Sequence, residues 1–234
     1  MGSQMSVRYS EYVEKDLQVD ATISRETQIG LFDSLYRNVA KRVFDVLFVL
    51  LAIPIVLPIL VVLAVVIMCR GGNPIYRQER IGRGGKHFTM WKLRTMVVDA
   101  DSLLKEHLDT NDLARREWQK TQKLRNDPRI TRFGTFLRKS SLDELPQLWN
   151  VLRGDMSLVG PRPMLPEQRS IYPGKDYYAL RPGITGPWQI SERNDSSFAD
   201  RAKFDASYNK TLSPRSDFVL LVGTIGVVLR GTGC

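Results

Sequence analysis

"VFDVLFVLLAIPIVLPILVVLAVVIM", residues 43–68, is the stretch on which the fold turns. Its one charge is Asp45, close to the start. At about 1.5 Å of rise per residue a helix of this length reaches about 39 Å, more than the roughly 30 Å hydrocarbon core of a bilayer. Hydropathy alone therefore reads as a transmembrane helix. Two features oppose a plain span. Both flanks are basic, with Arg37, Lys41 and Arg42 before the stretch and Arg70, Arg77, Arg80 and Arg83 after it. Lys and Arg beside a membrane segment favour the cytoplasmic side, and here both ends ask for that side. Pro54 and Pro58 also fall inside the stretch, where each removes a backbone donor and crowds the preceding turn. The pattern predicts a re-entrant membrane helix over residues 37–70, kinked by Pro54 and Pro58 and broken near Pro58, entering and leaving by one face. Carbonyls freed at such a break need partners within the protein.

The rest of the chain suits one domain with an appendage, at 234 residues in all. Lys and Arg number 34 against 25 Asp and Glu, a net charge of +9, which points to an anionic partner: nucleic acid, an anionic membrane surface or a phosphorylated substrate. The two cysteines, Cys69 and Cys234, form no CxxC, and Cys234 is too near the end for a prenylation box. A reduced, cytoplasmic setting is expected. Residues 1–36 are polar and expected to be loosely ordered, and the polar stretch is too long to be the front of a signal peptide. Near the other end, "DFVLLVGTIGVVLR" (217–230) is too short for a comfortable span. A core helix and a helix lying in the membrane interface both fit it.

Between the apolar runs, "PIYRQERIGRGGKHFTMWKLRTM" (74–96) reads as two short strands around the turn GRGG. A phosphate-binding P-loop fails here, because Arg80 stands where a glycine is needed and His87 where Ser or Thr is needed. Residues 97–124 predict one or two solvated amphipathic helices, with Leu103, Leu104 and Leu108 at helical spacing. "ALRPGITGPWQIS" (179–191) reads as an ordered loop, and 198–209 as a helix.

"SLDELPQLWN" (141–150) carries two adjacent carboxylates, Asp143 and Glu144. Ser141 and Glu144 match a capping box, but Pro146 would then break a bond at the fifth helical position. Moving the cap to Asp143 puts Pro146 where the missing donor is an orphan anyway. Asp143 is therefore expected at or beside a helix N-terminus, with LPQLWNVL as the apolar face behind it. A helix N-terminus also favours an anion, and Arg138, Lys139 and Arg162 lie close in sequence. Two carboxylates among cations suit Mg²⁺ with a phosphate-bearing substrate, and a carboxylate can itself attack phosphorus. From these residues alone, a cap and a reaction centre both stay open. Other chemistry is thin: His87 and His107 are the only histidines, and no GxSxG occurs.

Taken in order, "KRVFDV", "YRQERIGRGGKHFTMWKLRTM", "DPRITRFGTFLRKSSLDELPQLWNVLRGDMSLVGPRP" and "RPGITGPWQIS" resemble the bacterial sugar transferases, the monotopic phosphoglycosyl transferases, over roughly residues 37–234. The chain looks like the short form of that family, without the multi-helix N-terminal membrane domain of larger members, and its "VGTIGVVLRGTGC" ending is similar to the exopolysaccharide branch. The resemblance implies an α+β, mostly helical, monotopic membrane protein. Its cytoplasmic catalytic domain would be 71–234, with interfacial helices and a small β-hairpin, on the cytoplasmic face of the bacterial inner membrane. It implies transfer of a hexose 1-phosphate, galactose or glucose, from a UDP-sugar to undecaprenyl phosphate with release of UMP, the first membrane step of exopolysaccharide synthesis. In that family the reaction is ping-pong through an aspartyl-phosphosugar. Carried over by position, Asp143 is the nucleophile and Glu144 helps it hold Mg²⁺. Arg138 and Lys92 bind phosphate, and Pro161, Arg162 and Pro163 line the nucleotide end. The implied partners are the UDP-sugar, the lipid phosphate, inner-membrane lipid and a second copy in a homodimer, with no nucleic acid. One departure is Leu57-Pro58 where the family often has Ser-Pro, so the hydroxyl that would cap a broken turn is missing. Two other readings remain: a lipid-linked glycosyltransferase that releases UDP, and a non-catalytic basic module anchoring an assembly at the membrane.

Overall fold

The computed structural model describes residues 35–121, 124, 126–191 and 198–229. The polar N-terminal segment and Cys234 thus lie, but for its last two residues, outside the described residues. The protein is mostly helical, with a small antiparallel sheet and one long apolar helix. That helix, α1 (Lys41–Cys69), follows a π-helical turn at Tyr36–Ala40. Together, Tyr36–Cys69 is long and apolar enough to cross a membrane. The break expected near Pro58 is absent as a break: α1 is one helix of 29 residues with Pro54 and Pro58 both inside it. A proline removes one hydrogen bond and bends the axis, and the bonds on either side carry the helix through.

The burial of α1 is uneven. Asp45 and Val49 in its first half and Leu63 and Ile67 in its second are buried, while no residue from 50 to 62 is. Val49 joins a core with Met90, Val151, Met156, Leu158 and Leu220. Leu63 and Ile67 join a second cluster with Leu93 and Leu137. Both halves of α1 are therefore fastened to the same globular body. Asp45, the one charge in the apolar stretch, accepts the backbone N–H of Leu158 at 3.2 Å. The start of the helix is tied further through Asp217, which accepts from Tyr36 (2.7 Å), Lys41 (2.5 Å) and Tyr208 (2.5 Å).

Strands β1 (Ile75–Ile81) and β2 (His87–Leu93) form the expected hairpin, with Ile75 opposite Leu93 and Ile81 opposite His87. Side chains alternate across a strand, so Tyr76, Gln78 and Arg80 share one face with Lys92. Two amphipathic helices follow, α2 (Ala100–Thr110) and α3 (Asp112–Thr121), then α4 (Arg132–Lys139) and α5 (Gln147–Arg153). The Gly- and Pro-rich stretch is more ordered than a loop. Its β4 (Gly183–Thr185) pairs in parallel with β3 (Ser157–Val159), and a short helix α7 (Pro187–Ile190) follows, the one-turn α6 (Asp176–Ala179) lying before it. A Cβ on Gly183 would sit 2.1 Å from the nitrogen of Gly160, so this pairing demands glycine.

Helices α8 (Arg201–Thr211) and α9 (Pro214–Leu229) complete the domain. Helix α9 has two unlike faces. It buries Asp217 and Leu220 against the core, and exposes Phe218, Val222 and Ile225 on another face.

Candidate active site

The acid pair is set by the reversal between α4 and α5. Thr131 caps α4, its hydroxyl accepting the N–H of Gly134 at 2.9 Å. A Cβ on Gly134 would fall 1.9 Å from the carbonyl of Thr95, so only glycine lets α4 lie this close to the segment after β2. That approach brings Arg138 to Thr95, whose hydroxyl accepts from its Nε at 3.0 Å. After α4, Ser141 turns the chain in the left-handed region (φ 56°, ψ 17°), the one non-glycine residue with positive φ among those described. Strain of this kind costs on the order of 1–3 kcal/mol and gathers at functional sites. Leu142–Glu144 then form a single 3₁₀ turn, and α5 begins only at Gln147, with Pro146 before it. Asp143 is thus not the cap of α5, as expected from Pro146, but sits one turn ahead of it in a separate element. The buried amide of Asn150 staples α5 to β2, donating to Thr89 O (2.7 Å) and accepting from Trp91 N (3.1 Å).

These contacts bring Asp143, Glu144, Lys92, Arg138 and Arg162 to one place. Asp143 is buried, at 6% exposure. Lys92 Nζ lies 2.7 Å from Glu144 Oε1 and 3.9 Å from Asp143 Oδ2. Burial pushes the Asp143 carboxyl above the usual range, Lys92 and Arg138 pull it down, and Glu144 adds to the rise. Burial also lowers Arg138, with Asp143 opposing the fall. Asp143, Arg138 and Arg162 all line the same two larger clefts. One, of about 270 Å³, is basic, with Arg80, Lys92, Arg94 and Arg129 added to Arg138 and Arg162. The other, of about 190 Å³, is walled largely by apolar side chains.

Pro161 and Pro163 behave differently from Arg162. Both are buried and act through their carbonyls: Pro161 accepts from Gly183 N at 2.8 Å, and Pro163 from the Arg80 guanidinium at 3.0 Å. They hold the loop, while Arg162 reaches the clefts, its guanidinium carbon 5.6 Å from the centre of the Trp188 ring.

Sequence reasoning missed Arg80 as a site residue and took it for a membrane flank. Burial, with Arg162 nearby, lowers its pKa to about 10, so it keeps its charge at neutral pH. The signal was the strand alternation that puts it on the Lys92 face. Gln189 was missed as well. It is 7% exposed, both atoms of its amide lack a partner, and it lines the apolar cleft and a smaller one beside Glu144. A buried amide without partners is costly unless a ligand completes it.

For Mg²⁺ the donor set is small. Among the described residues no three His, Cys, Asp or Glu side chains gather as a metal site. Two adjacent carboxylates on a cleft nevertheless fit an ion that takes one or two carboxylates and fills its remaining positions with water and substrate phosphate.

Comparisons with known proteins place the chain in a family. Residues 36–231 match the model of a family described as bacterial sugar transferase. The chain is 51% identical over 195 residues to the UDP-galactose-lipid carrier transferase of Erwinia amylovora, covering 82% of this chain and 41% of that protein. It is 46% identical over 195 residues to the undecaprenyl-phosphate galactose phosphotransferase of Salmonella typhimurium, with the same coverage of 82% and 41%. With the exopolysaccharide production protein ExoY of Rhizobium meliloti it shares 44% over 204 residues, 86% of this chain and 85% of that one. The chain thus spans about two fifths of the length of the first two relatives.

Proposed function

Because the chain belongs to the bacterial sugar transferase family, we propose that it moves a hexose 1-phosphate from a UDP-sugar to undecaprenyl phosphate, releasing UMP. Galactose is the favoured hexose, since two of the relatives carry it in their names. The observation that carries this reading is a buried Asp143 at the junction of a cationic cleft and an apolar one, with Lys92, Arg138 and Arg162 around it. A carboxylate so placed can act as a nucleophile on a polyanion, because the surrounding cations offset the repulsion.

In the first half-reaction an Asp143 carboxylate oxygen attacks the β-phosphorus of the UDP-sugar. The new O–P bond forms as the bond from that phosphorus to the bridging oxygen breaks, and UMP leaves with the oxygen. In the second half-reaction an oxygen of the lipid phosphate attacks the same phosphorus. The aspartyl O–P bond breaks, the carboxylate is restored and the diphospho-sugar lipid departs. Arg138 and Arg162, shared by both clefts, can hold the transferred phosphoryl group throughout. Arg80 and Lys92 add charge on the nucleotide side. Asp143 and Glu144 would hold Mg²⁺, which when bound neutralises charge on the diphosphate and the leaving nucleotide. Incubating the protein with UDP-galactose, undecaprenyl phosphate and Mg²⁺ should release UMP, read by chromatography. Release of UDP instead would mean that sugar alone is transferred.

The protein is proposed to act from one side of the bacterial inner membrane, at its cytoplasmic face. Helix α1 would be about 43 Å long if straight, longer than the hydrocarbon core. Yet both of its halves pack on one globular body, with the unburied middle around Pro54 and Pro58 between them. A crossing would carry that body's contacts to opposite sides of the bilayer; a helix that dips into one leaflet and returns would not. Single cysteines at positions 37 and 72, in a chain without its own cysteines, should both resist an impermeant thiol reagent in intact cells. Labelling at only one of them would establish a span. Basic residues at the surface add about 1 kcal/mol each toward anionic lipid.

A further inference from the structure

The second cleft at Asp143 differs sharply from the first. Its wall is Leu145, Leu148, Ile184, Ile190, Val227 and Val228. Two threonines also line it, but their hydroxyls are used up: Thr185 and Thr224 bond each other at 2.6 Å, and Thr224 donates to Leu220 O at 2.7 Å. Around Asp143 the lining turns polar, at Ser141, Glu144, Arg138, Arg162 and Gln189. An occupant must therefore be apolar along its length and anionic at its tip. A nucleotide meets that description poorly, since ribose and base would lie against a wall that is mostly aliphatic.

The position of α9 narrows the occupant further. Thr224, Val227 and Val228 wall the cleft, while Phe218, Val222 and Ile225 stand exposed on the outer face of the same helix. Those three recur at i, i+4 and i+7, one stripe along the helix. Trp149, half exposed on α5, lies next in sequence to the cleft residue Leu148. The helix that offers apolar side chains to a bilayer surface thus also walls the cleft that ends at the carboxylate. A lipid leaving the bilayer along α9 meets apolar side chains until its head reaches the arginines.

Resting on the reading of the protein as a phosphosugar transferase, we propose that this cleft seats the first isoprene units of the polyprenyl phosphate acceptor. Its phosphate lies between Arg138 and Arg162, and its chain runs out beneath α9 rather than along α1. The donor diphosphate takes the basic cleft, so the two substrates approach Asp143 from different sides and share only the arginines between them. The two half-reactions then use one nucleophile without either substrate's tail occupying the other's place. Gln189, which lines this cleft with an unpartnered amide, stands beside the phosphosugar that both half-reactions share.

The test uses the full wild-type chain in detergent micelles with a farnesyl phosphate that carries a diazirine on its second isoprene unit. After irradiation and proteolysis, adducts should map to residues 145–148, 184–190 and 214–229. An excess of undecaprenyl phosphate should reduce them at least tenfold. Adducts confined to 41–69, or spread over every apolar helix and insensitive to the competitor, would overturn the assignment. UMP release from UDP-galactose is measured on the same preparation. If that fails while the adducts map as expected, the proposed reaction falls and the isoprenyl phosphate site stands. If UMP is released and the adducts lie elsewhere, the reaction stands and the site falls.

Discussion

Asp143→Asn should abolish transfer and at the same time raise the melting temperature at neutral pH. Loss of a nucleophile lowers kcat on the order of 10⁴-fold or more, because asparagine cannot form the covalent intermediate. The rise in stability follows from the sign of the shift on Asp143, whose folded carboxyl is held above its ordinary value chiefly by burial. The unfolded carboxyl loses its proton first, near pH 3.9 or so, and the folded one later. Between those two values stability falls as pH rises, and above both the full penalty persists. Asparagine keeps the shape without the charge, so the variant should melt higher than the wild type at pH 7. The difference should vanish below about pH 4, where both carboxyls are protonated. Transfer by the wild type should rise with pH through the raised folded value, since only the carboxylate attacks. A variant that melts lower at pH 7 would show that the pairs with Lys92 and Arg138 outweigh the cost of burial.

Arg138→Lys should lower kcat/KM for UDP-sugar about 10²- to 10³-fold, equivalent to about 3–4 kcal/mol of transition-state stabilisation. The charge is kept but the planar fork is lost. In the protein that fork is aimed by the bond from Arg138 Nε to Thr95 Oγ1, at 3.0 Å. Thr95→Val leaves the guanidinium in place and removes only its guide. It should therefore lose less activity, with kcat falling more than KM rises. Equal activity for Arg138→Lys and the wild type would mean that Arg138 supplies bulk charge only.

Much of this site could be read from the sequence, because the acid pair, Arg138 and Lys92 stand in long motifs and the hairpin follows from its alternation. Three things could not. The continuity of α1 through Pro54 and Pro58 was one, because proline chemistry predicts a disturbed bond but not whether the bonds on either side carry the helix through. The start of α5 was misplaced because the left-handed turn at Ser141 is a tertiary choice, made where α4 is pulled onto Thr95 by Gly134. The parallel pairing of β3 and β4 escaped because strands of three residues are too short to show a period. Their signal lay instead in Gly160 and Gly183, whose backbones approach too closely for any side chain. Arg80 and Gln189 were passed over for a related reason: their role depends on what lies across the cleft from them.

The most direct test of the covalent mechanism is the mass of the protein after brief exposure to UDP-galactose and Mg²⁺ with no lipid acceptor. The mass should increase by one hexose phosphate, located by fragmentation to Asp143. It should disappear on addition of undecaprenyl phosphate and be absent from Asp143→Asn. An adduct on any other residue, or full transfer with no adduct and no dependence on Asp143, would contradict the mechanism.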